Sequence, residues 1–210
     1  MSATAGATSL GPRGLYLITD GRGDLGPRVE AALKAGGGAV QYRDKSDDAP
    51  RRLAQAQELA ALCRKFQVAF IVNDDVELAL AVGADGVHLG MHDSTIAAAR
   101  ERLGPAAIIG ASCYNSLVMG QRAADCGADY LAFGAFFPSA TKPDAVRAGV
   151  ELLRKARVFH RRLVAIGGIT ADNAAPLLAA GADWLAVCDD VFGQPDVGFA
   201  AARYRELFSW

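Results

Sequence analysis

A single closed α/β barrel, of the (β/α)8 TIM type, is the fold this sequence predicts, and three observations predict it. Eight short apolar runs recur along the 210 residues, each followed by a stretch of helical character. The runs are nearly continuous in apolar residues rather than alternating, as strands of a parallel sheet buried on both faces are. The tripeptide "GAD" returns at Gly83, Gly127 and Gly181, and "AGGGAV" from Ala35 stands in the same place after the first helical stretch. A glycine there suits the left-handed residue that ends a helix before a short loop into a strand, so the repeat marks a βα unit. Eight units with no linker favour a closed barrel over an open doubly wound sheet, its structural rival.

The elements follow in order. Residues 1–13, "MSATAGATSLGPR", have neither the basic start nor the apolar stretch of a signal peptide, and are expected to be a disordered tail before one barrel domain over 14–210. The expected strands are "GLYLITD" (14–20), "AVQYRDK" (39–45), "VAFIVND" (68–74), "GVHLG" (86–90), "AIIGASC" (107–113), "YLAFGAFF" (130–137), "LVAIGGI" (163–169) and "WLAVCDD" (184–190). Between them, segments such as "PRRLAQAQELAALCRKF" repeat apolar residues at three- and four-residue spacing, which predicts amphipathic helices. The closing "ARYRELFSW" is expected to be the last barrel helix, with Phe208 and Trp210 available to a homo-oligomer interface.

Composition excludes several functions. With 22 basic and 23 acidic residues the net charge is -1, so no global field attracts nucleic acid or an anionic membrane, and any anion site must be local. No apolar run approaches a membrane span, and the chain is expected to be cytoplasmic. Cys63, Cys113, Cys126 and Cys188 are far apart and form no C-x-x-C pair, which predicts free thiols.

In such a barrel the active site lies at the C-terminal ends of the strands. "QYRDK" alternates there, putting Gln41, Arg43 and Lys45 on one side and Tyr42 and Asp44 on the other. Two cations and an amide on a buried strand call for an anion: a phosphate or pyrophosphate would balance them, and so would an ion-pair network with Asp74 or Asp93. Asp74 and Asp93 end neighbouring strands and could share one magnesium ion, although a helix cap is the simpler use of Asp93. "PSATK" after the sixth run supplies hydroxyls, N–H groups and a lysine suited to a phosphate. The glycines of "AIGGIT" either admit a ligand close to the backbone or make a tight strand exit. His88 and His92 lack helical spacing and do not suggest zinc. Cys113 and Cys188 have no evident histidine partner and are not expected to be nucleophiles.

"QYRDK", "IVNDD", "ADGVHLG", "IIGASC", "FFPSATK" and "AIGGIT", in this order, resemble the thiamine-phosphate synthase family from about Gly14 to Phe192. The resemblance implies a barrel enzyme that joins a hydroxymethylpyrimidine pyrophosphate to a thiazole phosphate with the help of magnesium. It implies that Gln41, Asn73 and Ser112 contact the pyrimidine substrate, that Arg43, Lys45 and Lys142 hold its pyrophosphate, and that Asp74 and Asp93 hold magnesium. Ser139, Ala140, Thr141, Gly168, Cys188 and Asp189 would cradle the thiazole phosphate. Tyr42 and Asp44 join the substrate-binding set, and Arg43, Lys45, Ser112 and Lys142 are the residues expected to carry the chemistry. The chain departs from the pattern twice, with Met91 and His92 beside Asp93 and with Cys188-Asp189 where a serine is usual. An aspartate aimed at a phosphate would be repulsive. The rivals are a thiazole tautomerase-like barrel, which would not need Arg43, Lys45, Asp74, Asp93 and Lys142, and a noncatalytic ligand-binding barrel.

Overall fold

The structure is a computed structural model that describes residues 9–90, 95–138 and 146–208. Eight parallel strands pair in chain order and β1 pairs with β8, so the sheet is a closed barrel. The strands are β1 (Gly14–Ile18), β2 (Gly37–Tyr42), β3 (Ala69–Asn73), β4 (Gly86–Leu89), β5 (Ile108–Tyr114), β6 (Tyr130–Phe133), β7 (Arg162–Ile166) and β8 (Trp184–Val187). The helices among the described residues are α1 (Leu25–Lys34), α2 (Ala49–Phe66), α3 (Val76–Val82), α4 (Ile96–Leu103), α5 (Leu117–Asp125), α6 (Glu151–Ala156), α7 (Ala175–Ala179), α8 (Asp189–Phe192) and α9 (Val197–Ala202). This is the predicted (β/α)8 barrel, and none of its described helices is long and apolar enough to cross a membrane.

The glycine repeat has the conformation its position demands. Gly83 ends α3 at φ +62°, and Gly36, Gly127 and Gly181 also adopt positive φ. The aspartate of each "GAD" has a role of its own. Asp85, Asp129 and Asp183 accept from the backbone N–H groups of Phe70, Ile109 and Leu163, at 2.8, 2.7 and 2.8 Å. Each carboxylate therefore stitches the start of one strand to the turn that leads into the next. The repeat seals the end of the barrel remote from the candidate site.

Two apolar layers result from burial on both faces of the strands. Outside the sheet, Leu17, Val40, Val72, Val87, Ile109, Leu131, Leu163 and Leu185 meet helix residues such as Val29, Leu59, Leu153 and Leu177. Each such side chain, fully buried, contributes about 1.5–3 kcal/mol. Inside the barrel lie Tyr16, Ile71, Ile108, Tyr130, Val164 and Trp184. Glycines make room for the rings: a Cβ on Gly110 would lie 1.9 Å from Tyr130 Cζ, and one on Gly14 or Gly38 would lie 2.8 or 2.9 Å from Trp184 Cζ3.

Two expectations about the ends of the chain are corrected. Leu10, placed by sequence in the disordered tail, is 6% exposed and belongs to the cluster inside the barrel, because the ring of Trp184 offers it an apolar surface. The barrel's contacts therefore begin before residue 14. At the other end the last α-helix is Val197–Ala202, with Val197, Ala200 and Ala201 buried, and "ARYRELFSW" continues only as a 3-10 turn over Arg205–Phe208. Phe208 is partly buried against the chain's own core rather than presented outward, and Trp210 lies outside the described residues.

Candidate active site

The alternation of β2 places its residues as the spacing requires. Gln41 points into the barrel, is 3% exposed, and donates its amide N–H to the Tyr16 hydroxyl at 3.0 Å. Tyr42 points the other way, into the layer under α2, and donates to Gln55 Oε1 at 2.9 Å. Asp44 accepts from the Ser46 N–H and from Arg51, both at 2.8 Å. Tyr42 and Asp44 thus brace the start of α2, and Asp44 also lines the groove beside Asp74. Beyond β2, the Arg43 N–H donates to Thr19 Oγ1 at 2.9 Å, tying the exits of β1 and β2 together. Lys45 forms an ion pair with Asp74 across to the exit of β3.

Asp74 is the most constrained residue of the rim. It leaves β3 at φ +63°, a left-handed conformation that aspartate tolerates better than most residues and that clusters at functional sites. Its N–H donates to the His88 carbonyl at 2.8 Å, and the Asn73 side-chain amide donates to its Oδ2 at 2.7 Å. Asp75 is committed elsewhere: it caps α3 through the Leu78 N–H at 2.9 Å and pairs with Arg52 at 2.6 Å. Of the two acids in "NDD", Asp75 is thus bound into the start of α3, while Asp74 stands at the strand exit beside Lys45. A groove of about 560 Å³ opens beside it, lined among others by Lys45, Asn73, Arg52 and Arg102. Gln41, Arg43 and Ser112 stand outside this groove, so the predicted set divides between the groove and the barrel mouth.

A hard divalent cation suits this donor set. Asp74 supplies a carboxylate fixed by its backbone on one rim, and β4, which Asp93 follows in the chain, pairs directly with β3. Asp93 itself, with Met91 and His92, lies outside the described residues, as do Ser139, Ala140, Thr141 and Lys142.

Sequence reasoning missed a buried polar chain across the barrel interior. The Tyr16 and Tyr130 hydroxyls are 2.7 Å apart; Tyr130 Oη is 3.0 Å from His88 Nδ1; and His88 Nε2 is 2.9 Å from Ser112 Oγ. With the Gln41 bond, five side chains from β1, β2, β4, β5 and β6 connect two of the predicted substrate contacts. Burial pushes the Tyr16 and Tyr130 hydroxyls far above their ordinary pKa, so both keep their protons. The sequence carried a signal in the polar atoms of Tyr16, His88 and Tyr130 on runs otherwise apolar, and a buried hydroxyl or imidazole needs a partner. The strand register then changes just past Ser112, between Ser112 and Tyr114, a bulge of the kind that re-aims side chains at active sites.

The exits of β6, β7 and β8 form the other half of the rim. Gly168 has φ +61°, and a Cβ there would lie 2.1 Å from the Pro138 carbonyl oxygen. The glycine therefore lets the loop after β7 run against the backbone leaving β6, just before the "SATK" segment. Asn173 donates to the Gly168 carbonyl at 3.0 Å, and Asp190 accepts from the Tyr204 hydroxyl at 2.7 Å and from the Ala171 N–H at 3.3 Å. The inward acid after β8 is thus Asp190, which holds the neighbouring loop. Asp189 is exposed at the start of α8, where water screens the repulsion that its charge would exert on a phosphate.

Cys188 is half-buried at this rim, and burial first, then Asp20 and Asp189, pushes its thiol up to about 11. The Arg43 and Arg22 charges act on it in the opposite sense. The thiol is no nucleophile at neutral pH. Mass spectrometry of iodoacetamide-treated native protein is expected to find Cys126 modified first, since it is exposed, with Cys63 and Cys113 protected until unfolding. Modification of Cys188 is expected to lag at pH 7.5 and to rise about tenfold per pH unit toward its raised pKa. Rapid labelling of Cys188 at neutral pH would contradict this account.

A closed (β/α)8 barrel with an amide, cations and a carboxylate at the C-terminal ends of its strands has the layout of a barrel enzyme, whose active site lies at that face. Comparison with known proteins gives the family. The thiamine monophosphate synthase family model matches residues 15–191. The thiamine-phosphate synthase of Thiobacillus denitrificans is 57% identical over 94% of this chain and 96% of its own, and that of Aromatoleum aromaticum is 56% identical over 93% and 96%. The solved thiamine phosphate pyrophosphorylase of Pyrococcus furiosus superposes with a TM-score of 0.87 at 40% identity, covering 94% of this chain and 96% of that one. The chain belongs to the thiamine monophosphate synthase family, and it is an enzyme of thiamine biosynthesis, a transferase forming thiamine phosphate.

Proposed function

We propose that the substrates are 4-amino-2-methyl-5-hydroxymethylpyrimidine pyrophosphate and 4-methyl-5-(2-phosphoethyl)thiazole, or its carboxylated form, joined through a dissociative pyrimidine cation. The observation that carries this reading is the division of β2 and its exit: Gln41 is held inside the mouth while Lys45 reaches Asp74 on the rim. A neutral hydrogen-bonding group deep in the barrel with charges at its edge fits a heteroaromatic ring that carries a pyrophosphate outward.

In the reaction the bond between the ring methylene and the pyrophosphate oxygen breaks, and its electron pair leaves with the pyrophosphate. The thiazole nitrogen lone pair then forms the new C–N bond, so no side-chain nucleophile is needed. Arg43 and Lys45, with Lys142, neutralise charge developing on the leaving group, which is where preorganised cations act most strongly. Asp74 and Asp93 would hold magnesium, which supplies Lewis-acid neutralisation of the pyrophosphate when bound. Gln41 and Ser112 orient the pyrimidine, and Asn73 holds Asp74 in place. Gly168 and the backbone around Cys188 and Asp189, with Ser139, Ala140 and Thr141, would receive the thiazole phosphate. Holding both substrates in one mouth supplies acceleration by proximity.

Pyrophosphate release from the pyrimidine substrate, measured with magnesium in the presence and absence of thiazole phosphate, tests the reading. Release that requires the thiazole is expected, with thiamine phosphate formed in equal amount. Binding of the pyrimidine pyrophosphate without turnover would instead favour a noncatalytic barrel.

A further inference from the structure

The buried chain from Gln41 to Ser112 has a direction, and that direction decides what the mouth presents to a ligand. Each tyrosine hydroxyl has one hydrogen to donate, and a neutral imidazole has one donor and one acceptor nitrogen. Gln41 Nε2 can only donate, so Tyr16 accepts from it. Among the described residues the Tyr16 hydrogen then goes to the Tyr130 oxygen, because leaving a buried hydroxyl hydrogen unbonded is costly. Tyr130 must in turn donate to His88 Nδ1, which leaves the imidazole hydrogen on Nε2, donated to Ser112 Oγ. Among the described residues, the ends keep the Gln41 carbonyl oxygen, an acceptor, beside the second amide N–H, and the Ser112 hydroxyl hydrogen, a donor.

We propose that Tyr16, Tyr130 and His88 are positioning residues that lock Gln41 and Ser112 into this acceptor-and-donor pair, and so make the mouth select a heteroaromatic amine over its oxo counterpart. An amino group gives its hydrogen to Gln41 Oε1 while an unprotonated ring nitrogen accepts from Ser112. An oxo-pyrimidine presents the reverse pattern, with a carbonyl acceptor and a ring N–H donor. To pair with it in the reverse sense the amide turns over, its oxygen then faces the Tyr16 hydroxyl, and satisfying that oxygen reverses the hydrogens of Tyr16, Tyr130 and His88 in turn. The two ends therefore change together, and selectivity belongs to the chain rather than to either contact alone. The identity of the ring rests on the function proposed above; the direction of the chain does not.

The test has two independent arms. Nitrogen-15 correlation spectra of the histidine rings in ligand-free protein, with the His88 signals assigned by their loss in His88→Gln, are expected to show the hydrogen on Nε2 and a hydrogen-bonded, unprotonated Nδ1. Tyr130→Phe, which keeps the ring, is expected to remove the donor to Nδ1 and shift that signal. A hydrogen on Nδ1 in the unaltered protein would overturn the assigned direction. The second arm measures the preference for the 4-amino pyrimidine pyrophosphate over its 4-oxo counterpart, by turnover or by calorimetric binding. Tyr16→Phe and Tyr130→Phe are each expected to reduce that preference about tenfold, the scale of one hydrogen bond, and to leave KM for thiazole phosphate unchanged. Equal losses for both pyrimidines, as a merely structural role would give, refute the proposal. If the protein binds the pyrimidine pyrophosphate without turning it over, the proposed function fails while the ring spectra and the binding preference still decide this inference.

Discussion

Replacing Asp74 by asparagine is expected to lower turnover about a thousandfold, the scale of removing one strong electrostatic contact to a leaving group. Asparagine is the informative substitution because it tolerates the left-handed backbone at φ +63° and can still meet Asn73 and Lys45 as a hydrogen-bonding group. The loop is kept and the charge is removed. Manganese binding, read by water-proton relaxation, is expected to weaken in parallel. Asp74→Ala combines both losses and is expected to lower thermal stability as well, since alanine at positive φ is strained. Near-normal activity of Asp74→Asn would mean that the acid serves only as the ion-pair partner of Lys45.

Gly110→Ala is expected to be strongly destabilising, because the added methyl would collide with a ring inside the barrel. The new Cβ would stand 1.9 Å from Tyr130 Cζ and 2.3 Å from its hydroxyl oxygen, and Gly110 sits on β5 between paired strands that cannot both yield. Overpacking of this kind costs about 3 kcal/mol or more. In a chain of this size that corresponds to a fall in Tm on the order of 10 °C, readable by circular dichroism. Gly149→Ala is the control, because nothing lies within 4 Å of its added Cβ and its φ is ordinary. A Gly110→Ala protein with unchanged Tm would show that Tyr130 has room to move. The polar chain through Tyr130 would then be less rigid than its distances imply.

Much of this architecture could be read from the sequence, for a physical reason. Strands buried on both faces must be apolar throughout, and helices ended by a left-handed residue favour glycine, so β4, β6 and β8 begin right after "GAD". The far ends of the strands were harder to place. β6 stops at Phe133 and β8 at Val187, earlier than their apolar runs suggested, because at the mouth the backbone leaves the sheet to meet other loops: Phe137 N–H donates to the Gly167 carbonyl, not to a strand. The site was legible where alternation decides direction, as at Gln41. It was not legible where the deciding contact joins distant strands. Nothing near Tyr16 in the chain announces Tyr130, 114 residues away, and nothing near Asp190 announces Tyr204 on the far side of α9.

The bond from Tyr204 to Asp190 also bears on how the chain is made. Barrel closure joins Gly14 to Trp184, so β1 waits for almost the whole polypeptide before its second neighbour exists. Such long-range pairing is slow to form. The loop after β7 then gains one of its braces only when Tyr204 arrives, six residues from the C-terminus. A chain truncated before Tyr204 has its strands but not the brace that fixes the loop beside Gly168. The loop beside Gly168 is thus set by a residue beyond the barrel's last strand, so the sheet can close before its mouth is complete.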